Sequence, residues 1–439
     1  MKAEMRGTST TIPLQNPSLC NNPQTSLAGA LKGCIGSLDG ACLEKLLLHC
    51  ASALENNDVT LAQQVMWVLN NLASSNGDPN QRLTSWFLRA LISRASRVCP
   101  NATNNNNNLH NLDRRLMSVT ELAGYVDLIP WHRFGFCASN SAIYKAIEGN
   151  TKVHILVCSI SHCMQWPTLI DAIAKRPDGP PSLRISVPSW RPLVPPSLNV
   201  SSKEVGQRLA NFSKFRDAPF EFHVIEELNY DMYLPDDEQI KGAISSRDNF
   251  LDRVKDLNPC IVTIVDEDCD LGNSSLTSRI ATCFNYLWIP FDVLETFLPK
   301  DSRQRLDYEA DIGHKIENII GFEGNQRIER LESCTYFSQR MEKNGFMSVP
   351  FCEETIKEVK TLLDEHASGW GMKKEEHDML VLTWKGHNSV YATSWMMVPP
   401  QIDMRIHDQN LNLNYSAATN PQSLRHCSFP RNNHTKLQA

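Results

Sequence analysis

Carboxylates are the most concentrated reactive groups in the chain, and three stand side by side at residues 266–268, followed by Asp270. They come directly after residues 260–265, an apolar run that predicts a buried strand. Catalytic carboxylates and metal ligands often lie at the carboxyl ends of parallel strands. Acidic loops also stabilise the positive end of a following helix, here one beginning near Ser274, and we favour this structural interpretation.

A second group that could do chemistry is the pair His162 and Cys163, a possible base and nucleophile. Adjacent loop residues seldom point at each other, and no third group is evident that would orient the base, so we favour a structural role. His154 alternates with apolar neighbours on a predicted strand, which favours a hydrogen-bonded core histidine over a metal ligand. The 14 cysteines include no Cys-x-x-Cys pair, which argues against a zinc module. The sequence therefore predicts no catalytic and no metal-binding residues.

The turn after the strand at residues 153–157 is where an α/β sheet would hold a nucleotide-like cofactor. Such a turn needs glycine so that backbone amides can approach the ligand, yet no glycine occurs between Gly149 and Gly179. The next predicted strand ends at Val187 and Pro188 instead of at a carboxylate that could bind ribose hydroxyls. We therefore predict that no cofactor binds and that the sheet serves as a scaffold.

Two apolar patterns define the elements that position these groups. Residues 41–150 repeat at the helical period and predict an N-terminal helical cap, whereas residues 151–398 alternate strand and helix patterns and predict an α/β core. The expected fold class is α/β, a methyltransferase-like, mostly parallel sheet with helices on both faces, a closing antiparallel hairpin and the N-terminal α-helical cap. Residues 1–40 and 399–439 are rich in polar residues, which predicts a disordered N-terminal segment and a flexible tail.

Composition narrows the possible partners. The 439 residues are 41% hydrophobic, enough for a sizeable core, and 43 Lys and Arg against 49 Asp and Glu leave a net charge of −6. This balance excludes a polybasic protein that wraps DNA through its phosphates. No apolar run approaches the ~18 residues of a membrane span, and the N-terminal residues lack the apolar stretch of a secretory signal. We expect an intracellular protein with no membrane partner.

Several motifs, in the same order along the chain, resemble those of the plant GRAS family of transcriptional regulators, particularly its scarecrow-like branch. The resemblance covers about residues 41–398 and rests on separate motifs, which makes it specific. The matching stretches are residues 46–51 and 77–83 for the first leucine-rich region, 153–157 and 164–170 for the VHIID core, 291–292, 298–302 and 318–330 for the PFYRE region, and 370–395 for the closing SAW region.

The resemblance implies which residues would carry function. It implies a fold similar to methyltransferases, a nuclear location, homo- or heterodimers with related GRAS proteins, and DNA reached through zinc-finger or other DNA-binding transcription factors. The cap leucines are candidate interaction residues, although for each of them we favour a place in the intramolecular core. The candidate residues are Leu43, Leu47, Leu54, Leu61 and Leu69 of the first leucine-rich region, Val153, His154, Ile155, Leu156 and Val157 of the VHIID-like motif, and Trp370, Trp384, Ser394 and Trp395 of the SAW-like motif.

The chain also departs from the family pattern. The acid of the VHIID motif is replaced by Val157, and the acid two residues later by Ser159. The Arg-Glu pair of the PFYRE region is replaced by residues 314–315, His and Lys. Residues 226–245 are too few for the full second leucine-rich region.

Our leading hypothesis is a non-enzymatic transcriptional regulator that acts as a protein-interaction scaffold and associates with DNA mainly through partner transcription factors. Two alternatives remain. One is an S-adenosylmethionine-dependent methyltransferase, which the methyltransferase-like sheet would allow. The other is a protein that binds DNA directly and sequence-specifically.

Overall fold

Helices dominate the N-terminal part of the computed structural model, which describes residues 39–98, 116–158, 163–189, 197–225, 246–366 and 368–398. The first two helices begin where polar side chains bind free amides: Asp39 accepts a hydrogen bond from the Cys42 amide and Asp58 from the Leu61 amide, each at 3.0 Å. The described α-helices are α1 (Gly40–Glu55), α2 (Val59–Leu72), α3 (Pro79–Val98), α4 (Val119–Leu128), α5 (Trp131–Ala146), α6 (Trp166–Ala174), α7 (Ser202–Phe215), α8 (Ser246–Asp256), α9 (Leu276–Phe297), α10 (Arg303–Gly321), α11 (Cys334–Lys343) and α12 (Glu353–Asp364).

The described strands form two main sheets and one small pair. The strands are β1 (Leu116–Met117), β2 (Lys152–Leu156), β3 (Ser182–Pro188), β4 (Ser197–Leu198), β5 (Phe220–Ile225), β6 (Val262–Glu267), β7 (Phe346–Ser348), β8 (Trp370–Lys374), β9 (Leu380–Trp384) and β10 (His387–Met397). Parallel β2, β3 and β5 lie side by side in that order, whereas the second sheet has the order β6-β10-β9-β8 with β7 also paired to β10, and β1 pairs with β4.

The α/β class with a parallel sheet and a closing antiparallel hairpin is confirmed, but the described strands do not form one continuous sheet. β6 pairs with β10 in antiparallel fashion, so the second sheet has no parallel pair among its described strands. The hairpin of β9 and β10 turns at Lys385 and Gly386, whose φ angles of +49° and +85° suit a two-residue turn. Strand pairing between distant segments decided this division, and local sequence patterns do not encode it.

One hydrophobic cluster joins the predicted cap to later parts of the chain. Helix α9 packs on α1 and α3, and α10 packs along α3. The helices of residues 276–321 therefore share one hydrophobic cluster with those of residues 40–98. Trp86 of α3 lies directly over Gly313 of α10, where a Cβ atom would lie only 2.2 Å from the indole ring. A second cluster lies beneath the parallel sheet, between its inner face and helices α6 and α7.

Two local predictions were wrong. The spacing predicts a helix over residues 325–343, but α11 begins only at Cys334, because the side chain of Asn318 binds the amides of Ile328 and Glu329 at 3.0 and 2.9 Å and holds that segment extended. In addition, no strand is predicted at residues 370–374. There β8 forms by pairing with β9.

Three predictions fall outside the described residues: the disordered segment up to residue 38, the tail from residue 399, and the shortened region 226–245. Among the helices that the structure describes, none combines the length and the apolar content needed to cross a lipid bilayer.

Candidate interaction surfaces

The five leucines of the first leucine-rich region lie on α1 and α2, and most of them are buried. Leu43, Leu47, Leu61 and Leu69 have exposed fractions of 2%, 0%, 6% and 0%, and Leu54 is half-buried against the same cluster. Four of the five candidate contacts therefore pack inside the folded chain.

The solvent side of the same helices carries apolar side chains that the sequence analysis missed. Trp67 of α2 is 65% exposed and Val59, two turns earlier, is 42% exposed. Gln63 and Asn70 flank Trp67 on this side of the helix and are also exposed. A tryptophan placed among polar residues, away from the leucine stripe, was the available signal. We call Val59, Gln63, Trp67 and Asn70 the α2 surface.

The VHIID-like strand β2 has one buried and one open face. Val153 and Val157 are buried in the cluster beneath the sheet, and Ile155 and Leu156 are half-buried. His154 points to the other face and is exposed, so the prediction of a core histidine was wrong, although its Nε2 lies 2.8 Å from the Ser186 hydroxyl. Partial desolvation, together with nearby Arg184 and His223, lowers the pKa of His154 below its ordinary value.

The open face of the parallel sheet is polar. Arg184 of β3 binds Glu221 of β5 at 2.7 Å, and His223 lies 3.3 Å from the same carboxylate. Among the described residues, no group of three or more potential ligands is placed to hold a metal ion. The described residues of this face therefore form a solvent-exposed surface of ion pairs.

Two carboxylates of the acidic run at the end of β6, those of Glu267 and Asp268, bind groups on other elements. Lys315 of α10 binds Glu267 at 2.6 Å, and its Nζ lies 3.7 Å from Glu329. Burial opposes the charged form of Lys315, but its ion pairs outweigh this effect and raise its pKa. Asp268 accepts hydrogen bonds from the Cys334 amide at 3.0 Å and from Asn388 at 2.7 Å. These carboxylates hold elements together.

The helix that the acidic run was expected to stabilise is capped in another way. Helix α9 begins after Ser275, whose hydroxyl accepts from the Ser278 amide at 3.2 Å. Glu55, at the end of α1, accepts from the Leu276 amide and the Thr277 hydroxyl, each at 2.5 Å. Asp268 instead lies at the first residue of α11, so the acidic loop stabilises a helix that comes later in the chain.

The tryptophans of the SAW-like motif are packing residues. Trp384 is fully buried, and its ring centroid lies 4.8 Å from that of Trp370 with the two rings tilted. It donates its indole N–H to Asp292 of α9 at 2.7 Å. Trp395 is also fully buried, and the neighbouring Ser394 hydroxyl donates to the Val349 carbonyl at 2.7 Å. The hydrogen bond to Asp292 anchors the SAW-like hairpin to α9, the helix that carries residues 291–292 of the PFYRE-like region.

The cofactor turn is only partly described, since residues 159–162 lie outside the described residues. Of its flanking cysteines, Cys163 is buried, and burial raises the pKa of Cys158 to about 11. A thiol that stays protonated at neutral pH is a weak nucleophile, which disfavours covalent chemistry at Cys158. The absence of a cofactor stays a prediction.

The chain is similar to known proteins in family, sequence and fold. The model of the GRAS domain family matches residues 43–396. Scarecrow-like protein 32 of Arabidopsis thaliana is 43% identical over 399 residues, covering 84% of this chain and 96% of that protein. Protein SHORT-ROOT of the same plant is 29% identical over 391 residues, covering 80% and 72%.

Among solved structures, the crystal structure of SCL7 in Oryza sativa covers 80% of this chain and 99% of its own, with a TM-score of 0.67 and 24% sequence identity. At this level of identity the likeness shows a shared fold.

Proposed function

The chain belongs to the GRAS domain family, and we propose that it acts in the nucleus as a non-enzymatic regulator of transcription that serves as a protein-interaction scaffold. The family match and the scarecrow-like and SHORT-ROOT relatives support the role of a plant transcriptional regulator. Four statements of the proposal go beyond the family match: the role of a scaffold, its partners, the nuclear location and the lack of an enzymatic activity.

The observation that carries the scaffold proposal is the α2 surface. A tryptophan that is 65% exposed on a helix otherwise fastened to the core leaves a large apolar area in water. Tryptophan is enriched among the residues that dominate binding energy in protein interfaces. We propose that the α2 surface contacts a second GRAS protein in a homo- or heterodimer, in place of the buried leucines Leu43, Leu47, Leu61 and Leu69.

The internal use of the reactive side chains supports a non-enzymatic protein. Glu267 is paired with Lys315, and Asp268 bridges α11 and the start of β10. Carboxylates that are satisfied in this way are poor acids, bases or metal ligands. If the chain were a methyltransferase, calorimetry would detect micromolar binding of S-adenosylmethionine, and we expect none.

The charge balance supports DNA association through partners. A net charge of −6 gives little long-range attraction to phosphates. We propose that zinc-finger or other DNA-binding transcription factors carry the chain to its sites. The purified chain alone should give no specific gel shift at ~150 mM salt. A specific shift under these conditions would favour the direct DNA-binding alternative.

The test of the dimer compares two exposed aromatic residues. Trp67→Ala should weaken self-association or pairing with a related GRAS protein at least tenfold, measured by light scattering over a concentration series. Phe215→Ala is the control, because Phe215 is 76% exposed on α7, away from the α2 surface. A dimer that both variants leave intact, or a chain that stays monomeric with every relative, would contradict the proposed surface.

A test of the scaffold uses defined partners. Purified nuclear zinc-finger proteins and related GRAS proteins are mixed with the folded chain, and binding is measured by pull-down. We expect saturable binding to at least one such protein and a gel shift on DNA only when that partner is present. Empty results with every partner would count against the scaffold.

A further inference from the structure

A cavity of about 220 Å³ lies between α3 and the first turns of α10. Its lining combines guanidinium groups, hydroxyls and an indole, a mixture suited to a negatively charged group with an apolar stem. The lining includes Ser75, Arg82, Ser85, Trp86, Arg89 and Leu306.

One of the two arginines is already neutralised. Arg82 is 1% exposed and binds Glu309 through Nε at 2.9 Å and Glu295 through Nη1 at 2.8 Å. The same Nη1 donates to the Gly77 carbonyl at 2.7 Å. Arg82 is therefore held in one position in the wall of the cavity, and the two carboxylates neutralise its charge.

The other arginine keeps its charge. Arg89 is exposed and stacks on Trp86 with its guanidinium carbon 5.3 Å from the ring centroid. In the part of the chain that the structure describes, no carboxylate lies within ion-pair distance of Arg89, and Glu309 is the acidic lining residue. With Glu295 and its second partner Arg305 included, three arginines against two glutamates leave one net positive charge.

A third guanidinium, on Arg305, lies behind the lining and has one donor without a partner. Arg305 is 1% exposed, and its Nη1 binds Glu295 at 2.9 Å, the same carboxylate that binds Arg82. Its Nε lies 3.5 Å from Glu309 Oε1, and its Nη2 has no hydrogen-bond partner among the described residues. A buried donor without a partner is costly, and a bound anion would lower that cost if it came within reach.

The walls restrict the shape of an occupant. Trp86 cannot sink further into the protein because its ring already rests on the backbone of Gly313. Leu306 on the opposite side is 41% exposed and presents an aliphatic surface. The space accommodates one short side chain that ends in a charged group.

We propose that this cavity binds an oxyanion carried by a side chain of a partner protein, either the carboxylate of an acidic residue or the phosphate of a phosphorylated one. Arg89 would bind the oxyanion, and Trp86 and Leu306 would contact its stem. A single free charge beside two glutamates suits one side chain better than a nucleic acid, which needs several phosphate contacts. The protein nature of the partner rests on the proposed scaffold function.

The test uses small probes on the full chain. Inorganic phosphate and blocked forms of phosphoserine, glutamate and serine are titrated at constant ionic strength, with saturation-transfer NMR as the readout. We expect binding of phosphate and of at least one of the two charged amino acids, and none of blocked serine. Phosphoserine and glutamate are the arms that distinguish the two sources of the oxyanion.

Three variants locate the binding. Arg89→Gln should weaken it at least tenfold, and Leu306→Trp, which fills the mouth without changing charge, should abolish it. Arg208→Gln is the matched control: it removes one positive charge from α7, where Arg208 is paired with Glu204, and should bind like the unmodified chain. Circular dichroism confirms that each variant is folded.

Three results would overturn the proposal: no binding of either charged amino acid, equal binding by Arg89→Gln and the unmodified chain, or a short DNA duplex that competes more tightly and depends on Arg89. These probes need no partner protein. Failure at the cavity is therefore distinguishable from failure of the dimer at Trp67.

Discussion

The two main sheets bury their residues in opposite ways. Parallel sheets usually have both faces covered, yet the sheet of β2, β3 and β5 exposes Lys152, His154, Arg184, Glu221 and His223 on one face. Antiparallel sheets can leave one face in water, yet β9 is buried at all five positions and β10 from residue 389 to 395.

Packing partners explain this difference. Helices α6 and α7 cover only the inner face of the parallel sheet, whereas β9 and β10 lie between the large cluster on one side and smaller clusters near α8 and α11 on the other. The comparison teaches that strand direction does not decide burial here. Stability should be concentrated in the hairpin sheet, and the parallel sheet should tolerate change on its open face.

The largest expected effect tests this contrast directly. Trp384→Ala in β9 removes a fully buried indole and its hydrogen bond to Asp292, so it should lower the free energy of unfolding by about 3–5 kcal/mol. The paired variant is His154→Ala in β2, which should cost less than about 1 kcal/mol because the side chain is exposed. Denaturant titration measures both. Equal losses in the free energy of unfolding would contradict the view that stability is concentrated in the hairpin sheet.

A loss of stability of intermediate size is expected on the covered face of the parallel sheet, and it extends the comparison of the two sheets. Gly206→Ala in α7 places a Cβ atom 2.2 Å from the Phe222 ring, and the overpacking should cost about 1–3 kcal/mol despite the better helix propensity of alanine. Gly321→Ala at the end of α10 is the control, since its nearest neighbour would lie at 3.5 Å. Thermal melting should show a loss for the first variant alone. If Gly206→Ala melts like the control, the inner face is loosely packed.

The smallest effect concerns pH on the open face. The pKa of His154 is lowered in the folded chain, chiefly by desolvation and then by Arg184 and His223, so the folded state takes up a proton less readily than the unfolded state. The contribution of neutral His154 to the stability of the fold is fully present above pH ~6.5, the ordinary pKa of histidine. It is lost as the pH falls through the lowered pKa of the folded chain. On acidification, the unmodified chain should lose more stability than His154→Gln, measured by denaturant titration across pH. Parallel pH curves would show that His154 is not perturbed.

Local periodicity predicted much of the fold. The leucine stripe on α1 and α2 and the closing hairpin follow from patterns that span a few residues. The helix at residues 325–333 was mispredicted because the Asn318 side chain, from another helix, takes its amides. The strand at Trp370–Lys374 was missed because its partner β9, and not its own composition, stabilises it.

The candidate surfaces could be predicted only in part. The leucines were correctly placed on helices, but their spacing does not reveal which neighbour covers them, and α9 and α10 are distant in sequence. Trp67 was overlooked because its chain neighbours Met66 and Val68 are apolar, and its place beside Gln63 and Asn70 shows only at helical spacing. The free charge of Arg89 likewise depends on where all the carboxylates lie.

By itself, the sequence determined most of the order of helices and strands, the net charge of −6 and the family, because periodicity, composition and motif order are properties of short or summed stretches. Only the tertiary structure decided which face of each element meets water and which charges are paired. Glu267 forms an ion pair with Lys315, and Arg82 forms one with Glu309. Arg89 forms none with a carboxylate of the described residues. Such partnerships join positions far apart in the chain, and packing of the whole core places them.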